Sequence, residues 1–214
     1  MEEVPRHQCL IYAGSPAKQL PALAALIKTH LKANRRCMYF NSPAMIAGVR
    51  SYLSAAGVRV ADEVARGALV LSSEQDHAVN GRFDPDRMLS MLSDAVQEAL
   101  SKGYAGLFAT GDMSWEFGRA SNFVELLEYE LGLEEMFRKY PCLHGVCQYH
   151  QEILPIDVIQ TGLCTHRGVF VNETLSRMNP YYNSPEQLNR QRSNFSNAEL
   201  NGILNRLREP APEA

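Results

Sequence analysis

The sequence lacks several features that would each indicate a particular class of protein. Its apolar stretches, such as residues 20–27, are interrupted and far shorter than the roughly 20 residues that a membrane-spanning helix needs. It has no run of like charges, and 24 acidic residues against 21 basic ones give a formal net charge of −3. A surface for nucleic acid or for an anionic membrane is therefore not expected. We expect a partner that is neutral or weakly charged.

A secretion signal and a disulfide pattern are also missing. The first residues, Met-Glu-Glu-Val-Pro, contain neither the basic nor the apolar region of a signal peptide, so we expect a cytoplasmic protein. Cysteine is sparse and odd in number, which argues against a disulfide framework. We expect reduced, mostly buried thiols at Cys9, Cys37, Cys142, Cys147 and Cys164.

Two kinds of apolar segment alternate along the chain. Short runs typical of buried strands occur near residues 7–12, 37–40, 68–71, 104–110, 142–149 and 168–171. Helical spacing with proline or glycine at the boundaries predicts helices near residues 20–31, 43–56, 84–102, 121–138 and 155–163. This alternation predicts a three-layer α/β fold whose mostly parallel sheet is covered by helices on both faces. We expect this domain at residues 1–182 and a helical tail with a disordered end at residues 183–214.

The stretch at residues 104–115 is central to this prediction. We expect its strand to break at Gly111 and to be followed by Asp112 and by Trp115, the only tryptophan. Groups just past the carboxyl end of a parallel strand line the ligand crevice of such folds. Asp112 and Trp115 are therefore predicted to lie at the mouth of a ligand site. The alternative is that Asp112 bonds its own turn and that Trp115 fills the core.

The turn after the first strand lacks a phosphate-binding loop. Residues 12–19, Tyr-Ala-Gly-Ser-Pro-Ala-Lys-Gln, contain one glycine, no Gly-Lys-Ser/Thr, and a proline that removes one backbone donor. Conventional ATP hydrolysis is disfavoured for this reason. The alternative is a degenerate RecA-like nucleotide-binding protein that uses Lys18 and holds magnesium at Asp112.

Metal-ligand residue types occur close together in the fifth predicted strand. Cys142, His144 and Cys147 would suit zinc, but the alternation of side chains along a strand directs Cys147 away from the other two. We therefore predict no metal site and no cofactor.

A thiol- or metal-dependent enzyme is a second alternative. Cys9 or Cys147 paired with His7 or His150 has the chemistry of a nucleophile and its base. However, no serine or cysteine stands in a nucleophile elbow. Histidines at the ends of predicted elements, such as His7, His150 and His166, more often make local hydrogen bonds.

Short motifs in a characteristic order carry a family resemblance. They are His7-Gln-Cys-Leu-Ile-Tyr12, Gly81-Arg-Phe-Asp-Pro85, Gly103-Tyr104, Gly111-Asp-Met-Ser-Trp115, Tyr129-Glu130, Cys147-Gln-Tyr149, His166 and Asn179-Pro-Tyr-Tyr182. Over residues 6–182 the chain thereby resembles the MEDS domain, a sensory domain of methanogen and methylotroph proteins and of the dichloromethane-metabolism regulator. The resemblance implies a RecA- or circadian-clock-ATPase-like fold that has lost its phosphate loop and senses small molecules proposed to be hydrocarbon derivatives. His150 and Arg167 stand where the family often has an acidic residue and a proline.

The leading hypothesis is a stand-alone cytoplasmic module that senses a ligand. It binds a small, largely apolar organic molecule at the carboxyl edge of the sheet and signals through a partner protein, for example in transcription regulation. The candidate ligand-binding residues are His7, Cys9, Tyr12, Asp112, Trp115, Cys147, Tyr149, His150, His166 and Tyr181.

The tail carries an apolar stripe at helical spacing. Leu200, Ile203, Leu204 and Leu207 predict an amphipathic helix that is too short to be stable alone in water. Two interpretations stay open at this point. The stripe either packs on its own domain or forms a homodimer that relays ligand binding.

Overall fold

The computed structural model describes residues 5–73, 78–79, 82–114, 123–172, 175–190 and 195–209. Its strands are β1 His7–Tyr12, β2 Arg36–Phe40, β3 Leu69–Ser72, β4 Ala78–Val79, β5 Arg82–Phe83, β6 Leu107–Asp112, β7 Leu143–His150, β8 Gly168–Asn172 and β9 Leu175–Met178. Its helices are α1 Leu20–Lys32, α2 Pro43–Ala55, α3 Val60–Ala65, α4 Pro85–Ser101, α5 Phe123–Lys139, α6 Ile156–Thr165, α7 Pro185–Arg190 and α8 Asn197–Arg208. A 3-10 turn at Pro16–Gln19 precedes α1.

The strands assemble into one main sheet. Within the described residues it has seven strands in the order β3-β2-β6-β7-β1-β8-β9. Each neighbouring pair is parallel except β8 and β9, which are antiparallel. The strands β4 and β5 form a separate antiparallel pair. The predicted mostly parallel α/β sheet is therefore confirmed, with β6, β7 and β1 at its centre.

Local sequence explains where helices begin and end. The side chain of Asp84 caps α4 by accepting a hydrogen bond from the Arg87 backbone N–H at 3.0 Å, and Pro85 occupies the first helical position. Ser196 and Glu199 form a reciprocal capping box at the start of α8. Gly103 follows α4 with φ +81°, a left-handed conformation that favours glycine.

Helices cover both faces of the sheet and create two separate cores. The α1 face is packed by α1, α2 and α3, and the α5 face is packed by α4, α5, α6 and α8. Side chains alternate along the central strands, so that Cys9 and Ile11 of β1 point to the α5 face while Leu10 and Tyr12 point to the α1 face. None of the described helices is long and apolar enough to cross a membrane.

Some predicted boundaries were wrong. The strand predicted at residues 104–110, which is β6, does not break at Gly111. Gly111 pairs with Phe40 of β2 on one side and with Cys147 of β7 on the other. The short elements α3, β4, β5, β9 and α7 were not predicted from the sequence.

The tail packs on its own domain. Leu200, Ile203, Leu204 and Leu207 of α8 are all buried in the core of the α5 face. Arg208 donates a hydrogen bond to the Ile11 carbonyl at 3.0 Å, which ties the end of α8 to β1. The apolar stripe is therefore not open to a second copy of the chain. Residues 210–214, part of the predicted disordered end, lie outside the described residues.

Candidate functional site

The structure separates the predicted site residues into two main groups. Tyr12, Asp112 and His150 lie at the carboxyl edge of the sheet, where β1, β6 and β7 end. His7, Cys9, Cys147, Tyr149 and His166 lie together in the interior of the α5 face. Trp115 lies outside the described residues, so its predicted place in a pocket wall stays a prediction.

The residues at the carboxyl edge make hydrogen bonds with one another and with their own turn. The Tyr12 hydroxyl donates to Asp112 Oδ2 at 2.7 Å, and the Ser114 backbone N–H donates to Oδ1 at 2.9 Å. Asp112 is thus the turn-bonding carboxylate of the alternative interpretation. Burial, followed by the nearby Asp112 carboxylate, raises the pKa of Tyr12, so the hydroxyl keeps its proton.

The turn after β1 already holds a carboxylate. The Gly14 N–H, in the strand-to-helix turn where a phosphate loop would lie, donates to Glu152 Oε2 at 3.0 Å. His150 Nε2 lies 2.8 Å from the Gly14 carbonyl and fastens the same turn to the end of β7. A phosphate would have to displace Glu152 and would also meet its charge.

The two groups cannot contact one small ligand together. His7 and Tyr12 stand at opposite ends of β1, about 16 Å apart for five residues of extended chain. A single small pocket therefore cannot take polar contacts from both His7 and Asp112. Tyr181 is separate as well, because its hydroxyl accepts from Arg206 of α8 at 3.2 Å and its ring packs edge-on to Phe195.

The interior group of the α5 face brings four metal-ligating side chains together from different elements. His7 comes from β1, Glu130 from α5, Cys147 from β7, and His166 from the residue after α6. Their ligand atoms all lie within 4.8 Å of one another. These side chains are almost fully buried, with exposed fractions of 1%, 0%, 8% and 0%. We call them the His7–Glu130–Cys147–His166 cluster.

The Glu130 carboxylate lies farther from the two cluster imidazoles than an ordinary hydrogen bond allows. Glu130 Oε2 lies 3.5 Å from His166 Nε2 and 3.8 Å from His7 Nε2. Cys147 Sγ lies 4.0 Å from His7 Nε2. Glu130 Oε2 and His166 Nε2 are buried and make no hydrogen bond with any described residue. Such atoms are uncommon in folded proteins because leaving them unbonded costs about 1–3 kcal/mol each.

Both imidazole rings direct the same nitrogen into the cluster. His166 Nδ1 lies 2.6 Å from the Gly162 carbonyl and 3.1 Å from Thr165 Oγ1, whose own proton is donated to the Thr161 carbonyl. His7 Nδ1 lies 3.1 Å from Glu134 Oε2. Both neighbours are acceptors, so each Nδ1 carries the proton and each Nε2 presents a lone pair.

The acidic residues of α5 differ in charge. Burial raises the pKa of Glu130 to about 8, although a hydrogen bond from the Tyr149 hydroxyl to Oε1 acts in the opposite direction. Burial also acts to raise the pKa of Glu134, but hydrogen bonds from His7, Arg167 and Tyr182 outweigh it and hold that pKa at about 2. Glu134 is therefore the anion that fixes the His7 ring, while Glu130 is protonated at neutral pH.

Burial keeps the cluster histidines neutral. It lowers the pKa of His7, even though the Glu134 carboxylate acts to raise it. It lowers the pKa of His166 well below the ordinary value, and the adjacent His7 adds to this effect. Burial likewise raises the pKa of the neighbouring Cys9, which remains a thiol. A nucleophilic Cys–His pair needs an accessible thiolate, so this enclosed group does not resemble the site of a thiol-dependent enzyme.

A small apolar cavity adjoins the cluster. It lies between α4, α5 and the strands β6 and β7, and its volume is about 30 Å³. Its apolar walls include Phe40, Met88, Leu92, Tyr129, Leu133 and Phe137, and Cys147 lies on its surface as well. Its apolar lining is typical of sites for small molecules, although its volume of about 30 Å³ is far below the roughly 300–1,000 Å³ usual for them.

Sequence reasoning missed Glu130 and Glu134 as site residues. Both lie on the buried stripe of α5 together with Leu126, Leu133 and Phe137, at intervals of three and four residues. Carboxylates on the apolar stripe of a helix are rare unless they are paired, so this pattern was the signal that could have found them.

Solved structures with a similar fold indicate the class of protein. A similar fold occurs in an uncharacterised protein from Pyrococcus horikoshii, solved in complex with an unknown peptide, at 15% identity and a TM-score of 0.57 over 80% of this chain and 81% of that chain. It also occurs in a KaiC-like protein from Pyrococcus horikoshii OT3, at 12% identity and a TM-score of 0.53 over 77% of this chain and 70% of that chain. The protein thus has the RecA-like fold of KaiC-like proteins.

The family follows from the sequence match. Residues 6–167 match the model of the MEDS family, the methanogen/methylotroph, DcmR sensory domain, and the chain belongs to this family. The match covers more than half of the chain and ends before β9. No curated protein matches.

Proposed function

We propose that this protein senses a small, largely apolar organic molecule and that the molecule binds in the cavity between α4, α5 and the sheet. Membership of a sensory-domain family supports the sensing role. The observation that carries the rest of the proposal is the cavity itself, which is lined by aliphatic and aromatic side chains beside the buried cluster. Dry apolar cavities bind apolar molecules without displacing ordered water.

Cavity size limits the ligand. A volume of about 30 Å³ has room for roughly two water-sized groups. We therefore propose a ligand of one or two carbon atoms, such as a short hydrocarbon derivative. The predicted residues Tyr12, Asp112, His150 and Tyr181 then act outside this pocket, and Cys147 is the predicted residue on its wall.

The remaining parts of the proposal concern location, nucleotides and output. We propose a cytoplasmic module of residues 1–182 with the tail as an added helical segment, which passes its signal to a partner protein and does not bind nucleic acid directly. A formal net charge of −3 supports the last point. The contact between Gly14 and Glu152 supports a turn that has lost phosphate binding. A homodimer would use a surface other than the stripe of α8.

The experiment is a thermal-shift screen of one- and two-carbon halides and alcohols against the purified protein. A ligand that binds only the folded state raises its melting temperature. Leu92→Phe adds volume inside the cavity and should abolish the response. The matched control is Leu26→Phe on the α1 face, which should respond like the unmodified protein.

Two outcomes would reject the cavity as the binding site. One is a panel in which no compound raises the melting temperature. The other is a compound that stabilises the Leu92→Phe variant as much as the Leu26→Phe variant. Mass spectrometry of the small molecules that co-purify with the protein then identifies the natural ligand.

A further inference from the structure

We infer that the His7–Glu130–Cys147–His166 cluster is a binding site for a first-row transition metal ion of the zinc type. This inference goes beyond the proposed function and does not depend on it, because the four side chains converge whether or not the apolar cavity holds a ligand. It also differs from the sequence-based prediction, which tested Cys142, His144 and Cys147 as zinc ligands and favoured no metal site, with a thiol- or metal-dependent enzyme kept only as an alternative.

The donor atoms have the orientation that a metal ion requires. The Nδ1 protons of His7 and His166 are committed to Glu134 and to the Gly162 carbonyl, so both Nε2 lone pairs face the interior of the cluster. A histidine ligand almost always donates its other N–H to a carboxylate or a backbone carbonyl in this way. The His7 ring has a carboxylate partner, Glu134, and the His166 ring has a backbone carbonyl partner, Gly162.

Glu130 has outer support of the same kind. The Tyr149 hydroxyl donates to Oε1, which leaves Oε2 directed at the two imidazoles and without a hydrogen bond from any described residue. Tyr149 is itself fully buried, so the carboxylate is held in one orientation. The cluster therefore has oriented ligands together with the second layer of contacts that orients them.

The distances between the ligand atoms favour a metal site over a network of hydrogen bonds. A proton held by Glu130 Oε2 would have to bridge 3.5 Å to His166 Nε2 or 3.8 Å to His7 Nε2. The first separation exceeds the usual hydrogen-bond range of about 2.7–3.2 Å. By contrast, ligand atoms around a tetrahedral ion with bonds of about 2.0–2.3 Å lie roughly 3.3–3.8 Å apart. Glu130 Oε2 already lies at such distances from the two imidazoles, 3.5 and 3.8 Å, and the other ligand atoms, all within 4.8 Å of one another, would have to move slightly closer when an ion binds.

The donor set also selects the kind of metal. Two imidazoles, a thiolate and a carboxylate suit zinc and similar ions, whereas magnesium and calcium prefer oxygen ligands. Loss of one proton each from Glu130 and Cys147 gives two negative charges, which balance a divalent cation in a site that is closed to solvent. Four protein ligands without an open position describe a structural site more closely than a catalytic one.

A path to the cluster exists at the amino end of β1. A surface cleft there is lined by Arg6, His7, Glu134 and Arg167 among others, so it reaches the outer side of the His7 ring. Glu130, Cys147 and His166 do not line this cleft and are buried. We therefore expect metal exchange to be slow.

The first measurement is the metal content of the whole protein after stripping with a chelator and reloading with zinc. About one zinc ion per chain is expected by elemental mass spectrometry. Reloading with cobalt should give the intense visible bands of a tetrahedral site and a thiolate-to-cobalt charge-transfer band in the near ultraviolet. Cys147→Ser should remove the charge-transfer band, and Glu130→Gln should weaken zinc binding by more than about 100-fold, beyond the 10–100-fold expected for an outer residue.

The matched controls are the same residue types on the α1 face. Cys37→Ser and His144→Gln should retain the full zinc content and an unchanged cobalt spectrum, since both residues belong to the opposite side of the sheet. Circular dichroism checks the fold of each variant. If a cluster variant fails to fold, the cobalt spectrum of the unmodified protein decides alone. A protein that takes up no zinc, that gives no charge-transfer band, or whose binding is unaffected by Cys147→Ser would overturn the inference.

Discussion

Two pairs of histidines lie on opposite faces of the same sheet, and they differ in what surrounds them. His7 and His166 pack at 4.0 Å between ring centroids on the α5 face. On the α1 face, His30 and His144 pack at 5.3 Å. Burial lowers the pKa of all four rings, to about 3 for His30 and about 4 for His144. Burial alone therefore makes a histidine neutral but does not make it a ligand.

Neighbouring charges explain the difference between the pairs. The first pair has Glu134 at one Nδ1 and Glu130 between its two Nε2 atoms. After burial, the further causes of the low pKa of His30 are His144 and Arg35, and no carboxylate is among these causes. His30 instead stacks on Phe108 at 4.1 Å. The contrast shows that acidic partners turn a buried histidine pair into a candidate metal site.

Removing one ring from each pair should give the largest difference. His7→Ala leaves a cavity beside Phe137, on which the ring stacks at 4.3 Å, and removes the hydrogen bond at Glu134 Oε2. We expect it to lower the free energy of unfolding by about 3–4 kcal/mol. His30→Ala removes a partly exposed ring without a carboxylate partner and should cost about 1–2 kcal/mol. Urea titrations of both variants check this, and equal losses would contradict the difference between the two faces.

Glycine substitutions on the two faces should differ in the same direction. A Cβ at Gly162 would lie 2.7–2.9 Å from the buried ring of Tyr149, which cannot move without disturbing Glu130. We expect Gly162→Ala to cost about 1–3 kcal/mol. At Gly48 on the α1 face, the close atom is Leu20 Cδ1, the movable end of a flexible side chain. Gly48→Ala should be nearly neutral, because the gain in helix propensity offsets the shift of Leu20. Thermal unfolding of the two variants compares them directly, and a larger loss at Gly48 would refute the expectation.

Acid should destabilise the protein through the α1-face pair. The folded-state pKa values of about 3 for His30 and about 4 for His144 lie below the unfolded value of 6.5, so below that pH the unfolded chain binds protons that the folded chain does not. Stability should therefore fall as the pH decreases from about 6.5 towards 3. Both rings are partly exposed, so solvent screening makes the loss of stability smaller than the full pKa shifts would give. We expect the free energy of unfolding to fall by about 2 kcal/mol.

The variant His30→Gln tests this origin. It should show a flatter loss of stability than the unmodified protein between pH 6.5 and 4, measured by urea unfolding at each pH. Parallel curves for the two proteins would assign the acid sensitivity to other groups.

Much of the fold could be predicted from the sequence because its patterns are local. The strand at residues 7–12 was predicted with the boundaries found, and the start of α4 follows from Asp84 and Pro85. Elements that depend on tertiary pairing were missed, as with β9, whose four residues pair only with β8. Gly111 was interpreted as a break because glycine weakens an isolated strand, whereas two neighbouring strands hold it in the sheet.

The candidate site was harder to predict because it has no sequence motif. The metal-site test applied to Cys142, His144 and Cys147 was right for His144, which lies on the face opposite Cys147, but wrong for Cys142, which packs against the same core as Cys147. The observed cluster instead combines β1, α5, β7 and the end of α6, and His7 and His166 are 159 positions apart in the chain. Only the packing of α5 and α6 on the central strands brings these side chains together.

Glu134→Gln should have the smallest effect of these variants. It tests whether Glu134 orients the metal ligand His7 without binding the metal itself. The variant keeps an oxygen that can accept the His7 Nδ1 proton but removes the charge that holds this proton in place. Zinc affinity should therefore fall by roughly 10-fold, about 1.4 kcal/mol, which is at the low end for an outer partner of a metal ligand.

The control is Arg167→Gln, which removes the ion pair at Glu134 Oε1, 2.8 Å away, without touching His7. Competition titrations with a zinc chelator measure both variants. If Glu134→Gln bound zinc as tightly as Arg167→Gln, the carboxylate would not orient His7, and the difference between the two histidine pairs would rest on Glu130 and Cys147 alone.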